Sequence, residues 1–311
     1  MAIENTSPAT FDLGHLRGWI GRREKAADIV TPRLVGAFRA MLGDAPGEPA
    51  EGDEAPPCLH WCLAPPLAPA SALGPDGHPA RGGFLPPVPL PRRMWAGGRL
   101  DFSAPLLVGE TVTRTSTVSD IAVKEGRSGL LCFVTVDHVI ESARGTLLTE
   151  RQDIVYREAE ETARPAPAAQ KQEGERDERQ REPQGGSAGE PMPAPRWQRH
   201  VAADPVTLFR YSALTFNGHR IHYDRRYAIE KEGYPGLVVH GPLQATWLVR
   251  LAEETRGAAP RRFSFRGVKP LFDGSDVTLN AAEANGNPGT GLDLWVAGAT
   301  GAPTLRASAN W

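Results

Sequence analysis

APLLVGETVT (residues 104–113) and KPLFDGSDVT (residues 269–278) are two stretches of this 311-residue chain that share one pattern. Each has a proline followed by a leucine, a glycine four positions after the proline, and a closing Val-Thr pair. In both places a polar gap with glycines and then an apolar run follow. Because the same order occurs twice, 165 residues apart, the chain is predicted to contain two copies of one fold unit.

Working outward from each copy, the sequence predicts an antiparallel strand meander. Six segments are rich in β-branched or apolar residues and are bounded by glycine and polar turns: 110–123, 129–143, 145–158, 275–284, 291–299 and 303–311. Partial alternation of apolar and polar residues and short connections favour strands that pair with their neighbours in the chain.

A helix is predicted before the strands of each half. Thr31 and Pro32 supply the N-cap and the first helical position of a helix over residues 31–42, and Pro242 lies just inside the start of one over residues 240–255. Both segments carry apolar residues at helical spacing on one face. One long helix on a curved antiparallel sheet, present twice, is the α+β fold called a double hot-dog.

The stretch between the halves has the composition of a linker. From Arg157 to Arg196 the chain contains no Val, Ile, Leu, Phe, Tyr or Trp. Such a segment buries too little apolar surface to offset the entropy of ordering it, so a flexible tether is predicted over residues 157–196. This divides the chain into an N-terminal hot-dog, residues 1–156, and a C-terminal hot-dog, residues 197–311.

Composition excludes several classes of function. The formal net charge is -2, without the concentrated basic excess of a nucleic-acid binder. Three cysteines cannot build a disulfide framework, which favours a reducing compartment. No segment approaches the roughly 18 consecutive apolar residues that span a bilayer, and the N-terminal residues match neither a secretory nor an organelle-import signal. We expect a cytoplasmic protein that binds neither nucleic acid nor membrane.

The chemistry is expected in YSALTFNGHRIHY (residues 211–223), which holds two of the eight histidines. A third histidine, His240, is followed by Gly241 and Pro242 at the start of the predicted helix. This segment and GLVVHGPLQA (residues 236–245) resemble the signature of MaoC-like (hydratase-2) hot-dog enzymes. They look closest to the branch of mesaconyl-C4-CoA hydratase, itaconyl-CoA hydratase and mitochondrial hydroxyacyl-thioester dehydratase. The resemblance implies hydration or dehydration of an acyl thioester.

In the family's signature a small residue is followed by Gly-Asp-x-Asn-Pro-aliphatic-His. Matched by position, the small residue falls on Thr215, the acid on Asn217, the asparagine on His219, the proline on Arg220 and the histidine on His222. Asn217 is the most serious departure, because an amide cannot act as the general acid or base that the family's aspartate is thought to be. It can still hold a water molecule through its oxygen or its amide hydrogens.

His222, Gly241 and Asn217 are the predicted catalytic residues. Adding water to a 2,3-enoyl thioester needs a base, and imidazole suits this task because its pKa of about 6.5 is close to working pH. His222 is therefore expected to be the base in hydration and the acid in dehydration. The N–H of Gly241 begins a helix and lacks an intrahelical partner, so it could stabilise charge on the thioester oxygen. Alternatively, His222 is a buried histidine bonded to backbone and Gly241 a turn glycine.

Four further residues are predicted to bind substrate: His219, Arg220, Tyr223 and His240. Arg220 facing the pocket could bind the free carboxylate of a dicarboxylic C4 or C5 acyl group with both arms of its guanidinium. It could equally be a solvated arginine, or one that bonds Asp224. His219 could merely flank the site or position Asn217, and His240 could cap the helix or pack against it.

No metal and no cofactor are predicted. His219, His222 and His240 have a permissive spacing, but no carboxylate or cysteine completes a recognised zinc pattern with them. Cys58 and Cys62 lack a second ligand pair. Coenzyme A enters as part of the substrate.

Two other segments are assigned to the substrate's surroundings. The insertion at residues 63–98 is predicted to loop over the cleft, where Phe84, Met94 and Trp95 could line the acyl end. The basic segment RRFSFRGVK (residues 261–269) alternates charged and aromatic residues at strand spacing. It is either a solvated strand or a surface that meets the phosphates of coenzyme A.

The predicted function is a hydro-lyase that acts on an acyl-CoA thioester, with a short branched or dicarboxylic acyl group. One active site per chain is expected in the C-terminal half, with a non-catalytic N-terminal half beside it, and a homodimer is possible. A thioesterase of the same fold is one alternative, although Asn217 offers no carboxylate to activate water. A non-catalytic acyl-CoA binding protein is the other.

Overall fold

The fold is built on one sheet of ten antiparallel strands. The computed structural model of the protein describes residues 11–126, 129–158, 192–286 and 289–311. The strands are β1 (Arg23–Ile29), β2 (Arg92–Phe102), β3 (Thr111–Gly126), β4 (Gly129–Ser142), β5 (Gly145–Arg157), β6 (Trp197–Ala202), β7 (Arg262–Gly267), β8 (Asp276–Glu283), β9 (Leu292–Ala297) and β10 (Pro303–Asn310). Their order across the sheet is β1-β3-β4-β5-β2-β7-β10-β9-β8-β6. Each half contributes five strands in the same relative order, which confirms the α+β double hot-dog.

The two halves join through β2 and β7, which pair antiparallel with Leu100 opposite Phe263. Two glycines of β2 lie at this join. A Cβ atom on Gly97 would lie 2.6 Å from the carbonyl oxygen of Phe265, and one on Gly98 would lie 2.7 Å from that of Arg151. These glycines therefore allow close strand pairing. The prediction that all of the insertion at 63–98 is a loop is wrong for residues 92–98, which begin β2.

The six strands predicted from the two meanders are confirmed as β3, β4, β5, β8, β9 and β10. The basic segment at residues 261–269 contains β7, in which Phe263 and Phe265 are buried while Arg262 and Arg266 are exposed. Arg262 pairs with Asp101 across the join. This alternation is that of a strand with one packed face and one solvated face.

In the described ranges, five α-helices accompany the sheet: α1 (Leu13–Arg17), α2 (Pro32–Met41), α3 (Pro205–Leu214), α4 (Arg225–Glu230) and α5 (Gly241–Arg256). The predicted cap of α2 is confirmed, since the Thr31 hydroxyl oxygen accepts a hydrogen bond from the Leu34 N–H at 3.1 Å. Helix α5 packs on β8, β9 and β10 and also contacts β2 and β7. It is the central helix of the C-terminal half and reaches the join.

The helices α2 and α5 are not equivalent, which corrects the expectation of one long helix in each half. Helix α2 follows β1 and opens with Thr31-Pro32, just as α3 follows β6 and opens with Asp204-Pro205. In chain order the place of α5 is taken in the N-terminal half by two short 3-10 turns, Leu59–Cys62 and Ala70–Ala72. Within the described residues, the long central helix belongs to the C-terminal half.

The main hydrophobic core draws on both halves, including Phe38 and Leu100 from the first and Leu243 and Phe263 from the second. Strand β5 ends at Arg157 and β6 begins at Trp197. Residues 159–191 of the predicted linker lie outside the described residues. Among the described helices, none is both long enough and apolar enough to cross a bilayer.

Candidate active site

The loop that carries the histidines runs from the end of α3 to the start of α4. Its turn is fixed by Asn217, whose side-chain oxygen accepts a hydrogen bond from the His219 N–H at 3.0 Å. The Asn217 N–H donates to the Ser212 carbonyl at 2.8 Å. In this arrangement the Asn217 oxygen holds the backbone of the loop, as asparagine does in many turns.

His222 is buried behind this turn. Its Nδ1 lies 2.7 Å from the carbonyl oxygen of Val238. A carbonyl only accepts, so Nδ1 carries the proton and Nε2 keeps its lone pair. Burial lowers the pKa of His222 to about 4, although the bond to Val238 opposes this shift. At neutral pH the ring is therefore an uncharged acceptor.

His240 stacks on His222, with ring centroids 3.6 Å apart. Its Nε2 lies 2.9 Å from the Ser212 hydroxyl, and its ring meets Tyr211 edge-on at 4.9 Å. Burial, and after it the charges of His222 and His219, lower the pKa of His240 well below its ordinary value. His240 thus ties the loop after α3 to the start of α5.

Gly241 is the first residue of α5, directly after His240. No side chain caps this end of the helix, and Pro242 has no N–H of its own. A Cβ atom on Gly241 would lie 3.6 Å from the carbonyl oxygen of Trp95 in β2. The structure therefore brings the His222 ring, the His240 ring and the start of α5 together, beside a strand of the N-terminal half.

Arg220 and Tyr223 lie on the outer side of the same loop and are partly exposed. The Arg220 guanidinium donates to the Asp224 carboxylate at 2.7 and 3.1 Å and to the Pro75 carbonyl at 3.1 Å. The Tyr223 hydroxyl donates to the Gly218 carbonyl at 3.0 Å. Of the alternatives that the sequence left open for Arg220, the structure contains the bond to Asp224.

Of the three insertion residues assigned to the acyl end, Trp95 lies nearest the site, since its carbonyl faces Gly241. Its ring packs edge-on against Trp61, with centroids 5.3 Å apart. Phe84 packs on the second core cluster of the N-terminal half, and the Met94 side chain is exposed.

Asp76 and His78 of the N-terminal half also lie at the site, although they were not predicted from the sequence. The His78 ring lies 4.2 Å from that of His219, and the His219 ring lies 5.3 Å from that of His222. His78 Nδ1 lies 3.0 Å from a carboxylate oxygen of Asp76. Their segment, GPDGHP (residues 74–79), looks like an ordinary polar turn. Only the presence of the histidine-rich segment at residues 211–223 could have drawn attention to the histidine in this turn.

Asp76, His78 and His219 are also the described residues whose ligand atoms are close enough to hold a metal ion, within 4.8 Å of one another. The set of His219, His222 and His240, whose spacing in the sequence is permissive but for which no metal is predicted, is not the one that converges. Burial, together with the charges of His78 and His222, lowers the pKa of His219 to about 2. Three histidine rings and one carboxylate therefore share a compact, mostly buried space.

The chain is thus a double hot-dog protein with a histidine site at the join of its two halves. Residues 58–273 match the family model described as hydroxyacyl-thioester dehydratase type 2. The chain belongs to this family, whose members are classed as hydro-lyases by their name. The family that the histidine segment resembles is thereby confirmed.

Individual relatives agree with this assignment. Mesaconyl-C(4)-CoA hydratase of Chloroflexus aurantiacus is 43% identical over 300 residues, which cover 93% of this chain and 95% of the relative. A solved MaoC-like dehydratase superposes with a TM-score of 0.66 at 14% identity, covering 95% of this chain and 99% of the other. A Mycobacterium tuberculosis protein with a double hot-dog fold superposes with a TM-score of 0.50 at 15% identity, covering 93% and 95%. These structures support the fold.

Proposed function

We propose that this protein is an acyl-CoA hydratase/dehydratase, which adds water to or removes it from the 2,3-bond of an enoyl or 3-hydroxyacyl-CoA thioester. The proposal is supported by membership of a dehydratase family and by the extent of its similarity to a CoA-ester hydratase. The observation that carries it is the bond from His222 Nδ1 to the Val238 carbonyl. That bond leaves Nε2 of a buried, neutral imidazole as a proton acceptor next to a helix N-terminus.

In the proposed hydration, Nε2 of His222 takes a proton from water while the water oxygen bonds to the β-carbon. The π electrons move to the α-carbon and the thioester oxygen, where the N–H of Gly241 stabilises the charge. The proton then passes to the α-carbon, so His222 ends neutral and no other reactant is consumed. Dehydration runs through the same steps in reverse, and the reaction needs no cofactor.

The proposed acyl group is short and dicarboxylic, as in mesaconyl-CoA. Support comes from the name of the relative that is 43% identical to this chain. Arg220 is the cation of the histidine loop, and its side chain is 40% exposed. A substrate carboxylate would have to share or replace its bond to Asp224.

We further propose a cytoplasmic, homodimeric enzyme. Cys58, Cys62 and Cys132 are free and buried, which is the condition expected of thiols in a reducing compartment. Sedimentation of the purified chain tests the dimer.

The activity is tested with mesaconyl-type and crotonyl-type CoA esters. We expect the enoyl absorbance to fall while the thioester stays intact. The kcat/KM for the dicarboxylic ester should be at least about tenfold higher than for the crotonyl-type ester, which corresponds to a free-energy difference of about 1.4 kcal/mol. Release of free thiol would instead indicate a thioesterase. Binding of the esters without any turnover would indicate a non-catalytic protein.

Two histidine variants connect the activity to the site. His222→Gln should lower kcat by at least about 100-fold, the usual effect of removing a general base. His200→Gln, at an exposed histidine of β6, is the matched control and should keep wild-type activity. Equal activity of both variants would remove His222 from the mechanism.

A further inference from the structure

The family's signature has a carboxylate where this chain has Asn217, and the structure indicates where a carboxylate enters instead. The Asp224 carboxylate contacts the histidine loop but is bound by Arg220. Among the described residues, Asp76 also has a carboxylate that reaches the histidines of the site, through its hydrogen bond with His78. Asp76 accepts from both the N–H and the ring Nδ1 of His78, at 3.1 and 3.0 Å.

The loop that carries Asp76 is held against the histidine loop by its backbone. The Arg220 N–H donates to the Asp76 carbonyl at 2.9 Å, and the Arg220 guanidinium donates to Pro75. Gly77 and Gly218 face each other so closely that a Cβ atom on Gly77 would collide with the Gly218 carbonyl oxygen. A Cβ on Gly218 would lie 2.6 Å from the Gly77 carbonyl oxygen. These contacts fix Asp76 and His78 beside His219.

We propose that Asp76, which is hydrogen-bonded to His78, supplies the carboxylate of the active site from the N-terminal half. In this proposal Asp76 is a positioning residue for proton transfer. This inference rests on the proposed hydratase activity. Asp76 remains an anion throughout. It orients His78 through Nδ1, and its charge stabilises the positive charge that arises when His222 accepts a proton from water. Returning that proton to the α-carbon restores the starting charges.

The charges around this pair agree with that role. The titratable and charged groups that interact with Asp76 or His78 are His219, His222, Tyr227, Arg81 and Arg93. Burial lowers the pKa of His78, and the hydrogen bond to Asp76 opposes this shift. Although burial raises the pKa of Asp76, the hydrogen bond and charge of His78 outweigh it and lower the pKa below its ordinary value. Asp76 is therefore ionised at neutral pH, in a surrounding that is otherwise neutral or positive.

The test compares Asp76→Asn, Asp76→Glu and a control, Asp53→Asn, using a CoA ester that the wild type hydrates. Asp53 is an exposed turn aspartate of the same half, whose carboxylate accepts from the Ala50 N–H at 2.9 Å. Asp76→Asn should lower kcat by about 100-fold with KM within about threefold, which is the range for loss of acid–base support. The kcat of Asp76→Glu should be at least about tenfold higher than that of Asp76→Asn. The kcat of Asp53→Asn should match that of the wild type.

The pH profile separates a charge effect from a structural one. Without the anion, protonated His222 is less stable, so the acidic limb of kcat should move to lower pH in Asp76→Asn. Unchanged melting temperatures would show that the variants fold.

Three outcomes would overturn the inference: a kcat of Asp76→Asn within about threefold of the wild type, a change confined to KM, or loss of wild-type activity with a chelator and its return with Zn²⁺. The last would make Asp76, His78 and His219 a metal site. Failure of the wild type to hydrate any ester would instead reject the proposed function, so the two failures are distinguishable.

Discussion

At the scale of single residues, the decisive feature is that His222, the proposed base, is buried and neutral. His222 is 8% exposed, and its two ring nitrogens have different surroundings. Nδ1 is bonded to the Val238 carbonyl, while stacking on His240 covers one face of the ring. Because His222 is buried, its ring stays unprotonated below pH 6.

The first prediction concerns the pH dependence of kcat/KM. Because the pKa of His222 is lowered to about 4, the neutral base should persist to lower pH than a solvated histidine allows. We expect kcat/KM to change by less than about twofold between pH 7.5 and pH 5.5, and to fall below about pH 5. Reassay at pH 7.5 after incubation at each pH controls for unfolding. An acidic limb near or above 6.5 would contradict the assignment of His222.

The second prediction concerns Gly241. An added methyl group would make only an ordinary contact, 3.6 Å from the Trp95 carbonyl oxygen, so Gly241→Ala should fold with a melting temperature close to the wild type. If the thioester oxygen approaches this N–H closely, the same methyl group should lower kcat/KM by about 100-fold, the effect of losing an oxyanion donor. Gly83→Ala, where the nearest atom is 4.0 Å away, is the control. Unchanged kinetics would place the oxyanion site elsewhere.

The sequence predicted much of this site, and the part it did not predict has a physical reason. The segment at 211–223 and the His-Gly step at 240 and 241 are local motifs, so their residues are visible side by side. Asp76 precedes His219 by 143 residues, and only tertiary contacts bring them together. No pattern in GPDGHP distinguishes this turn from one at any other surface.

At the scale of elements, the join between β2 and β7 determines how the halves combine. Single-sequence patterns found the six strands of the two meanders because those strands alternate or are continuously apolar. They missed β2 because its glycines are usually loop signals, whereas here the partner backbones leave no room for side chains. They also missed β6, whose exposed central residues give no apolar alternation.

The third prediction follows from this join. A Cβ atom on Gly97 would lie 2.6 Å from a carbonyl oxygen of β7, and a strand backbone paired on both sides cannot move away. Gly97→Ala should therefore lower the free energy of unfolding by about 2 kcal/mol, as overpacked sites typically do. Denaturant unfolding measures this change, with Gly83→Ala as the control. Equal midpoints for the two variants would show that the join is more tolerant than its geometry indicates.

At the scale of the whole molecule, one core and one continuous sheet unite two halves with different tasks. The C-terminal half holds the long helix and His222, while the N-terminal half contributes β2 and the loop at residues 74–80 to the same site. Duplication was therefore visible in the sequence as a repeat of strands, but the division of labour was not. It rests on the loop at residues 74–80 and on the long helix α5, which among the described residues only the C-terminal half contains.

The fourth prediction concerns the stability of the folded chain in mild acid. The pKa values of His78, His219, His222 and His240 all lie below the ordinary value in the folded protein. The unfolded chain, whose histidines titrate near pH 6.5, therefore binds more protons than the folded chain between about pH 6.5 and pH 4. Stability must fall as pH decreases through this window.

We expect the melting temperature to decrease steadily from pH 7 to pH 5, where carboxylates still contribute little. The decrease should be smaller in His240→Gln, which removes one of the four groups, than in the control His200→Gln. A melting temperature that stays constant over this range would show that the four rings are not neutral in the folded state.

The contact between Gly77 and Gly218 has a consequence for recombining this protein with its relatives. A chimera that exchanges one half at the linker would break the match between two loops whose backbones approach closely at Gly77 and Gly218. Such hybrids should assemble and yet be inactive unless residues 74–80 and 217–220 come from the same parent. Exchange of these two short segments together is then the smallest graft that keeps Asp76, His78 and His219 with the backbone contacts that hold them.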